Sequence, residues 1–137
     1  MANYVKFHQF NEDLGLGVHN LNTDTLKVCL SNTAPTVATN ALKADLTAIT
    51  EEHGYTPVDI QSTYSQTSGT GTLAGVDVTI TSASGTVGPF RYAVLYNDST
   101  TVLVDPLICY WDYGSSITLA DAESFLIDFG ASIFTLE

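Results

Sequence analysis

Apolar residues recur along this chain at two periods, one near its start and another through the rest. From Tyr4 to about Leu21, Phe7, Phe10, Leu14, Val18 and Leu21 follow a 3, 4, 4, 3 spacing, the stripe of an amphipathic helix. The expected N-terminal helical segment is therefore 1–22. Gly15 and Gly17 weaken its second half by about 1 kcal/mol each relative to alanine, so the helix is expected to fray or stop early. Its aromatic stripe needs a partner surface, either the chain's own sheet or a neighbouring subunit.

From Thr25 onward the period falls to two. Leu26, Val28 and Leu30 alternate with Lys27 and Cys29, the pattern of a half-buried strand. A long polar connection, Ser31 to Tyr55, follows and reads as a surface lid or docking loop. Within it Asn40 to Thr50, with Leu42, Leu46 and Ile49, predicts a short helix, and Glu51 to Tyr55 reads as a helix end and turn. The Ser/Thr/Gly-rich stretch before Leu73, with Tyr64, suits an exposed edge strand or hairpin, though its composition also fits a linker. Val76, Val78 and Ile80 mark another strand. Phe90, Tyr92, Val94 and Tyr96 are expected on one face of the next, with Arg91, Ala93 and Leu95 on the other.

Val102 to Trp111 reads as a strand pair or one bulged strand interrupted by Pro106. Asn97-Asp98, Asp112-Tyr113-Gly114 and Ala120-Asp121 are expected turns, and Ser132 to Leu136 closes the chain. Seven or eight short strands with turn residues between them predict a mainly β protein. The expected fold is an antiparallel β-sandwich, jelly-roll-like, with an N-terminal helix and a short helix in a long connecting loop. Residues 1–137 form a single β-sandwich domain on this reading, long enough to bury one core without metal or disulfide staples.

Charge changes the picture of partners. Four basic residues against fifteen acidic ones give a formal net charge of −11, which opposes phosphate backbones and argues against nucleic-acid binding. Only 14% of residues are charged, so Thr, Ser and Asn carry much of the surface polarity. No apolar run approaches a membrane span, and the N-terminus lacks the basic start and apolar core of a signal peptide; the expected location is the cytoplasm of the producing cell. Cys29 and Cys109 are expected as reduced, buried, small apolar residues, bridged only if their strands are neighbours.

Groups able to do chemistry are sparse. His8, Glu12 and His19 share a helical stripe, but the two imidazoles would stand roughly 16 Å apart along the axis, too far to ligate one ion. They read as a solvated polar border. Glu51-Glu52-His53 reads as a solvated turn, and Asp105, Asp112 and Asp128 as turn or edge charges. Calcium is the one cation left open, at oxygen-rich Asn97-Asp98, although no EF-hand-like loop exists. Gly69-Thr70-Gly71 lacks the lysine and spacing of a phosphate loop. No catalytic residue, metal ligand or cofactor is assigned. Trp111 is either a core residue or, with Tyr110 and Tyr113, part of a sugar or partner surface.

Three blocks together resemble a family of small virion structural proteins of tailed bacteriophages, the capsid decoration (cement) proteins. They are NYVKFHQFNEDLGLGVHNL followed by TDTLKVCLSNTAP, then ALKADLTAITEEHGYT, then GPFRYAVLYND ending in YWDYGSSITLADAESFLIDF. The resemblance covers most of the chain, the Ser/Thr-rich middle being least distinctive. It implies a β-sandwich set as a homotrimer on the major capsid protein lattice, at the exterior of the virion, with no catalytic residues to carry over. Tyr4, Phe7, Phe10, Trp111 and Tyr113 are the candidate partner contacts. The alternatives are a tail or neck component, or a jelly-roll carbohydrate-binding module using Trp111 and Tyr113.

Overall fold

A computed structural model describes residues 3–100 and 102–137. The chain is mainly β, with ten strands, one α-helix and one 3-10 turn among the described residues. The strands are β1 (Tyr4–Lys6), β2 (Leu26–Ser31), β3 (Val58–Asp59), β4 (Thr63–Thr67) and β5 (Thr70–Ala74). They continue with β6 (Val78–Thr81), β7 (Val87–Asn97), β8 (Leu107–Leu119), β9 (Ser124–Ile127) and β10 (Phe134–Leu136). The helix α1 spans His8–Gly15.

A five-stranded antiparallel sheet, in the order β1-β8-β7-β2-β3, is the centre of the molecule. Its side chains fall into cross-strand rows because the pleat alternates faces. On the inner face Val28, Leu95 and Cys109 form one row, and Leu30, Ala93, Trp111 and Tyr4 the next. Two smaller sheets, β10-β5-β4 and β6-β9, contribute Leu73, Phe134, Val78, Ile80 and Ile127 to the same core, giving an antiparallel sandwich-like arrangement. On the outer face Cys29, Val94 and Tyr110 align, and the row joins Phe7, Tyr96 and Leu107 in a second, smaller core.

The long connection from 32 to 57 covers that outer face. Val37 and Leu46 pack on the second core, and backbone bonds from Leu107 N–H to Ala41 O (2.9 Å) and from Ile49 N–H to Leu30 O (3.0 Å) tie the segment down. At its end Tyr55 plugs the main core, its hydroxyl accepting the Leu30 N–H at 2.8 Å. The helix expected at Asn40 to Thr50 is reduced to the 3-10 turn Lys43–Asp45. Backbone bonds to distant segments, among them Lys43 N–H to Asp105 O and Ile49 N–H to Leu30 O, replace the helical ladder.

The N-terminal segment departs most from its periodicity. Tyr4–Lys6 is an edge strand paired with Cys109–Trp111, and helix begins only at His8. Gly17, at φ +76°, ends it in a Schellman motif: Val18 N–H bonds Asp13 O and Gly17 N–H bonds Leu14 O. Residues 16–25 then run as turns into β2. The stripe is inward-facing all the same, but the sheet edge splits it, sending Phe7 to the outer core and Phe10 to the main one.

Two other expectations give way to bulges. Asp112-Tyr113-Gly114 does not reverse the chain. Phe90 pairs with Ile117 and Tyr92 with Asp112, so Arg91 stands opposite four residues, Tyr113 to Ser116, in an extended bulge of β8. The turn chemistry is nevertheless present: Gly114 has φ +102°, and its N–H donates to Asp112 Oδ1 at 2.8 Å. The same register shift flips β7, putting Phe90 in the main core with Leu95 while Val94 and Tyr96 face the outer core. The Ser/Thr/Gly stretch is the β4-β5 hairpin, closed by Ser68 and Gly69 at positive φ.

Candidate interaction surface

The five candidate contacts converge on one edge of the central sheet, where β1 and β8 pair. Tyr4 lies directly opposite Trp111, and Tyr113 is two residues further along β8. Each of these three rings meets an aromatic from the C-terminal segment. Centroid separations are 5.5 Å for Tyr4 and Phe134, 5.5 Å for Trp111 and Phe129, and 5.4 Å for Tyr113 and Phe125. These tilted and edge contacts suit the ring quadrupoles and clamp residues 125–134 onto the sheet.

Burial divides the five. Phe7 and Phe10 are enclosed in the two cores and Trp111 is 5% exposed, so these rings support the fold and offer no free face. Tyr4 is partly exposed, and Tyr113 is 58% exposed on the bulge. Leu126 on β9, 57% exposed, adds an apolar side chain that neither turn chemistry nor periodicity singles out as a contact. Its signal was the alternation of Phe125, Ile127 and Phe129 inward, which leaves Leu126 outward. Val102 and Val104, also exposed, form a separate apolar loop tip before Pro106.

Trp111 separates two clefts. One, of about 360 Å³, is walled by Phe90, Trp111, Tyr113, Phe125 and Leu126, with Arg91, Asp112 and Asp128 at its rim. The other, of about 370 Å³, lies between Tyr4, Trp111 and Phe134. At the first rim Arg91 grips Asp112 in a bidentate pair, Nε to Oδ1 at 2.7 Å and Nη2 to Oδ2 at 3.0 Å. That guanidinium holds the Asp112 carboxyl below the usual carboxylate range, helped by the Gly114 N–H. The pair braces the bulge.

Elsewhere the two thiols are tied up by packing. Cys29 and Cys109 are free thiols on β2 and β8, with β7 between them, and they face opposite cores. Burial pushes the Cys29 thiol up to about 12 and the Cys109 thiol upward as well, disfavouring the nucleophilic thiolate. Asn97, read as an open turn residue, is buried and bonded to His19, Asp24 and Ser99, while Asp98 pairs with Lys27 at 2.8 Å. His19, expected on a solvated border, is buried as well. Among the described residues no three His, Cys, Asp or Glu side chains are grouped to hold a metal ion, and no helix is long and apolar enough to cross a membrane. Comparison with protein-family models, curated proteins and solved structures found no match to this chain.

Proposed function

We propose that this chain is a non-enzymatic virion protein that decorates and stabilises the capsid shell of a tailed phage, acting as a homotrimer on the major capsid protein lattice. The observation that carries the reading is the exposed Tyr113 and Leu126 ledge beside a cleft, braced by the Arg91–Asp112 pair. Exposed aromatic and apolar side chains on rigid strands give contact area at low entropic cost. The terminal position of β1 in its sheet supplies an edge that a cyclic assembly can cover. A net charge of −11 keeps free copies apart until specific docking overcomes it. Many shallow contacts on one shell then act together through multivalency.

Purified protein added to capsids lacking it is expected to bind and raise their thermal stability, with Tyr113→Ala reducing occupancy. Absence of the protein from mature particles would sink the proposal. Labelling on intact particles separates a capsid position from the tail or neck. A carbohydrate-binding role is the second reading, favoured by the aromatic cleft with its polar rim. A glycan screen tests it, with Tyr113→Ala as the control, because Trp111 is too buried to stack on a sugar.

A further inference from the structure

Four polar side chains meet beneath the N-terminal segment, away from the aromatic ledge: Asp13 at the end of α1, His19 and Asp24 in the loop after it, and Asn97 at the end of β7. Asp13, His19 and Asn97 are all buried. Asn97 is the hub. Its Oδ1 accepts the Ser99 N–H at 2.9 Å, which fixes the amide orientation and leaves Nδ2 as the donor. Nδ2 then donates to Asp24 Oδ2 at 2.7 Å and to His19 Nδ1 at 3.0 Å. Both amide hydrogens are thereby used.

This arrangement dictates the state of His19. Its Nδ1 must accept, so the neutral ring carries its proton on Nε2. Adding a second proton at Nδ1 would set two donors against each other. Rotating the Asn97 amide would not help, since it would turn Oδ1 onto the Asp24 carboxylate and abandon Ser99 N–H. Two atoms of the cluster, His19 Nε2 and Asp13 Oδ2, are buried with no hydrogen-bond partner among the described residues. The other Asp13 oxygen accepts from Gln9 Nε2 at 3.1 Å. The His19 ring also packs at a tilt against Phe10, centroids 5.2 Å apart, and Phe10 in turn meets Phe134 of β10 at 5.8 Å.

We infer that His19 is an acid-sensitive latch: while neutral it holds the segment from His8 to Thr25 against the sheet through Asn97, and its protonation releases that segment and uncovers Phe10 and Phe134. The charged groups facing it are Asp13 from α1 and Asp24 from the loop; Asn97 of β7 and the Phe10 ring are uncharged. Burial lowers the His19 pKa below its ordinary value, and the two carboxylates oppose that only in part. The released ring, in water, takes up the proton more readily than the docked ring. Opening therefore becomes easier as pH falls below about 6.5, tenfold per pH unit for one linked proton, until the docked ring itself titrates. Above that value the latch does not respond to pH. The device is independent of the proposed capsid role.

Hydrogen exchange of the native protein between pH 8 and 5, corrected for intrinsic rates, tests it. Protection of amides in residues 8–25 is expected to fall about tenfold per pH unit below about 6.5, while β7 and β8 amides keep theirs. His19→Gln retains an acceptor without a titrating ring and is expected to flatten the response. The same pH response in H19Q, or no response in the native chain, overturns the inference. Imidazole nitrogen spectra of the native protein need no variant to fold. A neutral Nε2–H ring at neutral pH that takes up its second proton below the ordinary imidazole value supports the latch; an Nδ1–H ring, or protonation at or above that value, overturns it.

Discussion

Truncating Phe7 and Tyr113 to alanine separates aromatic residues that build the fold from those left for a partner. Phe7 is fully buried at the junction of β1 and α1, against Cys29, Val94, Tyr96 and Leu107, with the Tyr110 ring at 5.7 Å. Removing its ring forfeits the transfer free energy of a buried phenyl group and leaves a cavity between strands that cannot close on it. The expected loss is about 3–5 kcal/mol. For a chain of 137 residues that is a fall in Tm of roughly 10–20 °C. Tyr113 keeps more than half its surface in water and meets Phe125 edge-on, so Tyr113→Ala is expected to cost about 1 kcal/mol or less. Urea titrations of the three proteins give the midpoints, and unchanged m-values would show that the same folded state is being compared. Equal losses for the two variants, or a neutral Phe7→Ala, would refute the assignment of Phe7 to a closed core. Under the proposed capsid role the order is expected to reverse, Tyr113→Ala reducing occupancy in a protein that remains folded.

Three further outcomes follow from the packing. Tyr55→Phe leaves the buried Leu30 N–H without its acceptor and is expected to cost about 1–3 kcal/mol, read by thermal or urea melts. The Asp112 carboxyl is held low by Arg91, so its contribution is complete above the unfolded carboxylate value and is lost as pH falls through the lower, folded value. Melts of native protein and Asp112→Asn should therefore differ at neutral pH and converge in acid; a gap that widens in acid would contradict the pairing. Cys29 and Cys109 should resist a thiol reagent at pH 8 in the folded protein and both react in denaturant, since burial raises the two thiols. Rapid labelling of the native chain would show that one of the cores is open.

Much of the scaffold is legible from local pattern. Alternation at Leu26 to Leu30 marks β2 and correctly divides its side chains between two faces. The Ser/Thr/Gly stretch with Tyr64 marks the β4-β5 hairpin, because Ser68 and Gly69 supply the backbone that a tight turn demands. Gly15 and Gly17 mark the early end of α1, where Gly17 supplies the positive φ that closes it. Periodicity misleads where a strand edge and a helix share one apolar stripe, as at Tyr4 to Phe10: three residues of edge strand spend their backbone bonds on β8, a partner more than a hundred positions away.

The candidate surface divides along the same line. Aromatic content near Trp111 and Tyr113 is visible in the chain, but which ring faces water is not. That depends on the β8 bulge opposite Arg91, which places Tyr113 outside while Trp111 is covered by Phe129. His19 is the sharper case. Its spacing from His8 suggests a polar border, yet a Schellman turn carries it beneath the segment to Asn97, 78 positions along the chain. Sequence alone therefore determined the mainly β class, the strand and turn alphabet and the acidic charge, since these rest on local backbone preference and composition. Tertiary structure decided which aromatics are exposed and how His19 is held, because burial and hydrogen-bond partnership are properties of strands brought together from distant parts of the chain.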